Sequence, residues 1–161
     1  MIIQDDLDGA EKFTEYVIDI LPTCRSTKWL VAEYYEHIIT IFEHSKDLDP
    51  DKIYLDKYKL KLAENVFLHR HYKWSLKLFT QIIEGNKDKS SQKDFVTRCC
   101  VCGSLAAILS KGIHARKKLE KFSKLYDDFD QSCQYMLLNK IIEYWQKRDI
   151  EMLENTVFLL E

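Results

Sequence analysis

Three thiols, two imidazoles and a run of carboxylates are the groups in this 161-residue sequence whose types and spacing invite chemistry. Cys99, Cys100 and Cys102 crowd together, where a helix would spread them around its axis and leave no pair able to bridge without distortion. A zinc site built on Cys99 and Cys102 would need histidine ligands, and the nearest, His114, lies across the turn expected at Lys111 to Gly112. The five cysteines of the chain are therefore expected to be reduced, buried thiols with no metal. His69 and His71 are two apart, so on a helix they point in different directions and share an ion poorly; a wet turn is the better reading. Asp127, Asp128 and Asp130 resemble part of a calcium loop, yet the glycine and the closing glutamate are missing, which leaves an acidic turn between helices. No phosphate-binding glycine loop, nucleophile elbow, metalloprotease helix or paired CxxC is present, so neither an enzyme nor a cofactor is expected.

The cations offer a different chemistry. Lys57 and Lys61 lie one helical turn apart, and an earlier helix presents Lys12, so stacked helices would align them as an electrostatic track for an acidic partner. By spacing alone, an ordinary solvated face is the better reading. A second basic stretch, Arg116, Lys117, Lys118, Lys121 and Lys124, is the best support for RNA, but the formal net charge of −2 and the lack of an exposed aromatic code argue against nucleic acid. Tyr58 and Trp74, at helical spacing, are core residues first.

The elements that must position these residues are helices. Four glycines and two prolines, against 46% hydrophobic and 31% charged residues, leave little room for a turn-rich β architecture. No stretch approaches the roughly 20 apolar residues of a membrane span, and the acidic start at Asp5, Asp6 and Asp8 is unlike a secretory signal, so a soluble, intracellular chain is expected. Apolar periodicity predicts helices over Gly9 to Leu21, Lys28 to His44, Ile53 to His69, the stretch driven by Trp74, Leu78, Phe79 and Ile82, Phe95 to Ser110, Ile113 to Tyr126, Ser132 to Gln146 and Asp149 to Leu160. Trp29, Ala32, Tyr35, Ile39 and Phe42 form a face wide enough to be buried on two sides. Inner aromatics recur at Tyr35, Phe79, Phe122 and Phe158, spaced by 44, 43 and 36 residues, the period of stacked helical hairpins. The expectation is an all-α, tetratricopeptide-like helical-hairpin solenoid, a right-handed superhelix of antiparallel helix pairs, with residues 1–161 forming one domain of about four hairpins.

Running text then resembles one family. DKYKLKLAENVFLHRHYKWSLKLF from Asp56 reads like the lysine-bearing helix and tyrosine-led partner helix of the soluble NSF attachment proteins (SNAPs), of the alpha type. The likeness continues through EKFSKLYDDF to LLNKIIEYWQKRDIEMLENTV and, across a four-residue insertion near Leu48 to Lys52, upstream through VAEYYE to Ala10. The resemblance implies a cytosolic adaptor, peripheral to endomembranes, that coats a bundle of SNARE helices, syntaxin-type helices among them. It also implies recruitment of the hexameric ATPase NSF, which unwinds that bundle in vesicle-mediated transport. It places Lys12, Lys57 and Lys61 at SNARE-facing positions and Glu143 and Glu151 among the acidic residues offered to NSF.

Departures weaken parts of that pattern. A family lysine falls on Thr97, with Arg98 beside it as a substitute, and a family arginine falls on Cys133; other acidic positions fall on Lys111, Gln146 and Lys147. The resemblance also implies that the chain starts after the family's first hairpins, with their membrane-touching apolar loop, and stops before its final helix. The alternative is a generic tetratricopeptide-type scaffold subunit that binds another acidic protein.

Overall fold

The computed structural model describes residues 9, 12–18, 20, 28–44, 49–86, 93–111, 114–126 and 129–158, and among them all regular structure is helical. Eight helices follow in chain order: α1 (12–18), α2 (Lys28–His44), α3 (Ile53–Leu68), α4 (Tyr72–Asn86), α5 (Lys93–Lys111), α6 (Ala115–Leu125), α7 (Cys133–Lys147) and α8 (Ile150–Phe158). Expectations for Gly112, Asp127, Asp128, the thiol of Cys24 and the Phe158 side chain lie outside the described residues. The chain forms two compact units, Met1–Asn65 and Val66–Glu161.

In the first unit α2 packs on α3 through aromatic rings. Phe42 stacks on Tyr54 and on Tyr58, each at 5.8 Å between centroids, and Tyr35 lies 6.3 Å from Tyr58. Tyr54 and Tyr58 are four apart and share one face of α3, so a single phenylalanine holds two successive turns of the helix. Ala32, Tyr35 and Ile39 are buried as the periodicity requires, with Val31 beside them. Trp29 departs from the expected face: it is 52% exposed, one of the first residues of α2, where the helix has yet to meet α3's rings. The start of α3 is fixed by Asp49, whose buried carboxylate accepts from Ile53 N through Oδ1 and from Leu55 N through Oδ2, both at 2.8 Å. These amides have no intrahelical partner at a helix start, so the carboxylate satisfies them and its charge suits the positive end of the helix dipole.

In the second unit α4 packs on α5 and α6, α5 on α6 and α7, α6 on α7, and α7 on α8. Phe79, Phe122 and Phe129 are fully buried at the centre with Ile82, Ile83, Leu119, Leu138 and Ile142. Gly103 makes the closest approach. A Cβ there would stand 3.1 Å from Phe122 Cε2 and 3.2 Å from Phe79 Cβ, so α5 presents bare backbone to the two inner aromatics. Small neighbours Ser104, Ala106 and Ala107, all buried, keep the same helix slim.

Two turns repeat one device. Arg70, with φ of 66°, follows α3, and Arg148, with φ of 57°, follows α7. In each case the next residue donates to the carbonyl five back, His71 N to Val66 O and Asp149 N to Tyr144 O, while the arginine donates to the carbonyl three back. This is the Schellman closure, which usually recruits glycine because the left-handed conformation crowds a Cβ. Arginine accepts that cost, and the next helix begins two residues later.

The Gly103 contact predicts that Gly103→Leu lowers stability by about 1–3 kcal/mol through overpacking against Phe79 and Phe122. A thermal melt followed by helical circular dichroism checks it; an unchanged midpoint would mean that α5 is not held against those rings.

Candidate functional site

Burial of Tyr58, Leu62 and Val66 sets the rotation of α3, since residues four apart share a face. The positions just before the first two, 57 and 61, then fall on the flank of that face, where both lysines stay partly exposed, at 40% and 27% of their side chains. Lys61 Nζ also sits 5.9 Å from the centroid of the Tyr58 ring, within range of a cation–π contact that fixes its stem. The pair expected from sequence is thus brought onto one surface by the fold.

Glu15 of α1 stands against that surface. Its Oε1 accepts from Lys61 Nζ at 2.7 Å and lies 3.9 Å from Lys57 Nζ. One carboxylate therefore faces two ammonium groups. Partial burial, and then repulsion from Lys61, hold the Lys57 pKa below the ordinary lysine value. Lys12 is exposed on α1, one helical turn before Glu15 and on its side of the helix, so the three lysines and one glutamate occupy neighbouring surface. Thr14 of α1 meets Tyr34 of α2 at 3.4 Å and hydrogen-bonds Tyr58, whose pKa burial pushes up. A further cross-link, Lys59 to Glu43 at 2.7 Å, ties α3 to α2 away from the lysine pair.

The other expected residues belong to the second unit. Arg98 is exposed on α5. Glu143 on α7 and Glu151 in the first turn of α8 are both exposed, on helices that pack together. Glu143 is engaged by Lys147 at 2.5 Å, and that hydrogen bond holds its carboxyl below the ordinary glutamate value. The pair leaves the Glu143 carboxylate partly neutralised by a lysine of its own helix. The basic stretch forms the outer face of α6, with Lys121 paired to Glu84 at 2.6 Å.

Pockets offer little reactive chemistry. The largest described, 550 Å³ in the first unit, is lined by Glu43 and Asp49, but the first is paired with Lys59 and the second caps α3. A 340 Å³ opening at the α3–α4 turn holds one histidine, His71, among Arg70, Lys73 and Trp74. No group of three or more metal-ligating side chains occurs among the described residues. Sequence reading missed Glu15, because its partners lie 42 and 46 positions away and no local signal announces them. It also expected every thiol to be buried: Cys99 and Cys100 are, whereas Cys102 is only partly buried and Cys133 is exposed at the start of α7.

Among the described residues the chain is a series of short-turned helical hairpins that carry charged faces. A model of the family "Soluble NSF attachment protein, SNAP" matches residues 9–159, and the chain belongs to that family. It is accordingly of the family's class, a helical-hairpin, tetratricopeptide-like fold among non-enzymatic adaptors. None of the curated proteins and none of the solved structures compared matches the chain.

Burial pushes the Cys100 thiol up to about 12, which keeps it protonated and unreactive near neutrality. In native protein at neutral pH, iodoacetamide is therefore expected to modify Cys133 and to leave Cys99 and Cys100 intact until denaturation. Peptide mapping by mass spectrometry checks this, and native labelling of Cys100 would show that the α5 core opens.

Proposed function

We propose that this chain is a SNAP-type adaptor that binds SNARE helix bundles, including syntaxin-type helices, and recruits the NSF ATPase for their disassembly in vesicle-mediated intracellular protein transport. Membership of the SNAP family supports a SNARE- and NSF-related adaptor role. The observation that carries the reading to particular residues is the pair Lys57 and Lys61, held on one flank of α3 by burial of Tyr58 and Leu62. Lys12 extends that surface along α1, and Arg98 on α5 supplies a further cation. Glu143 and Glu151, on the last helix pair, are the residues offered to the ATPase. The engagement of Glu143 by Lys147 reduces the negative charge that residue offers.

The mechanism is electrostatic and needs no cofactor, metal or catalytic group. Carboxylates on a SNARE bundle exchange water for lysine ammonium groups, each exposed pair contributing about 0.2–1 kcal/mol, so affinity comes from several pairs together. Nucleic acid is not the proposed partner. A cytoplasmic location with peripheral attachment to endomembranes is in keeping with the described helices, none of which is long and apolar enough to cross a membrane. The two compact units are proposed to act together as one adaptor domain of about four hairpins.

Binding to a purified four-helix SNARE bundle at low and moderate salt tests the proposal, with the double reversal Lys57→Glu, Lys61→Glu as control. Wild-type binding is expected to weaken as salt screens the charges, to fall about two- to five-fold in either single reversal, and to be lost in the double. Binding indifferent to salt and to the double reversal would overturn it, and would point to a scaffold that holds another partner.

A further inference from the structure

Positive charge gathers where acids are missing from the sequence. Residues 66–83 and 95–119 contain no aspartate or glutamate, although the chain carries 26 acids in 161 residues and a net charge of −2. These segments supply the last turn of α3, most of α4 and α5, and the first turn of α6, all within the second compact unit. Arg70, Lys73 and Trp74 line the 340 Å³ opening together with Leu109 and Ser110, which brings the α3–α4 turn against the last turn of α5. Three residues then separate α5 from α6, so Arg116 and Lys117 stand at the same edge. Because a Cα–Cβ bond tilts toward the helix start, Lys73 in the first turn of α4 and Arg116 and Lys117 in the first turn of α6 lean outward along it.

Arg70, Lys73, Arg116 and Lys117 are all exposed, and among the described residues none of the four forms an ion pair. Arg116 only adds a weaker influence to that of Lys147 on the Glu143 carboxylate of α7. Apolar side chains stand exposed among these cations: Leu68, 79% exposed, closes α3 two residues before Arg70, and Leu109, 42% exposed, lines the opening with Trp74.

We propose that this edge docks the protein on an anionic lipid bilayer, with Arg70, Lys73, Arg116 and Lys117 meeting the charged headgroups while Leu68 and Leu109 enter the interface beneath them. The class of partner follows from the mixture. A bilayer offers negative charge with an apolar layer behind it over one broad plane, which suits unpaired cations interleaved with exposed aliphatic side chains. An acidic helix would be served by the cations alone and would leave both leucines in water. RNA would call for exposed stacking rings, whereas Trp74 is partly buried. The inference rests on the peripheral membrane attachment proposed above and gives it a site, on residues other than the SNARE-facing lysines.

Co-sedimentation with phosphatidylcholine vesicles, with and without phosphatidylserine, tests it. The variants are the quadruple Arg70→Gln, Lys73→Gln, Arg116→Gln, Lys117→Gln, the pair Lys73→Gln, Lys117→Gln, which leaves the left-handed Arg70 in place, and Leu68→Ser. Circular dichroism first confirms that helix content is unchanged. Wild type is expected to bind only where phosphatidylserine is present and less as salt rises, with affinity falling about five-fold for each cation removed and roughly a hundred-fold or more in the quadruple variant. Leu68→Ser is expected to weaken binding several-fold. No binding of wild type to phosphatidylserine vesicles, or binding indifferent to the four cations or to Leu68, would overturn the inference; capture of RNA without vesicle binding does the same and reassigns the edge to a soluble polyanion. SNARE-bundle binding, measured without lipid, is expected to be unchanged in the quadruple variant and keeps the two readings apart. Bundle binding alongside failed vesicle binding sinks the lipid inference alone, and edge-dependent vesicle binding without bundle binding sinks the adaptor reading alone.

Discussion

The burial of Tyr58 is the constraint from which the rest of the first unit follows. Its ring is 3% exposed, stacked on Phe42 and tilted against Tyr35, and a helix of fixed pitch has no rotational freedom once such a residue is seated. Leu62 and Val66 follow it inward at intervals of four, which carries positions 57 and 61 together to the flank. The lysine pair is therefore a geometric consequence of the core. Asp49 contributes the remaining degree of freedom: by accepting from the amides of Ile53 and Leu55 it fixes where the helix begins, and so the height at which the lysines stand.

On that flank the Glu15 carboxylate faces two lysines, with its Oε1 2.7 Å from Lys61 and 3.9 Å from Lys57, whose pKa is lowered by burial and by repulsion from Lys61. Glu143 in the second unit is a different case. A single carboxylate there meets a lysine one turn along its own helix, and the local pair is complete.

What was legible in the sequence was whatever depends on short-range period. The helix limits at Lys28 to His44 and, within one residue of the expected end at His69, Ile53 to Leu68, the buried aromatics Tyr35, Phe79 and Phe122, and the sharing of one face by Lys57 and Lys61 are all read from spacings of three, four and about forty, because side-chain direction repeats with the helix. Features that depend on what arrives from elsewhere were not. Trp29 has the period of a core residue and is exposed because it sits at the leading end of α2; Cys133 is exposed for the same reason at the start of α7. The turns after α3 and α7 close through left-handed arginines, where sequence reasoning looks for glycine. Glu15 is the costliest omission, since the candidate site is incomplete without it and only the folded chain brings it to lysines 42 and 46 residues away.

A face assembled this way suits reversible binding better than tight capture. Exposed ion pairs are individually weak and screened by salt, so an interface made of them forms quickly by steering and releases when a few contacts are withdrawn. On the proposed reading, an adaptor that holds a helix bundle while a motor works on it needs that kind of energy: large when many acids are aligned on one bundle, and small when the same acids are dispersed on single chains.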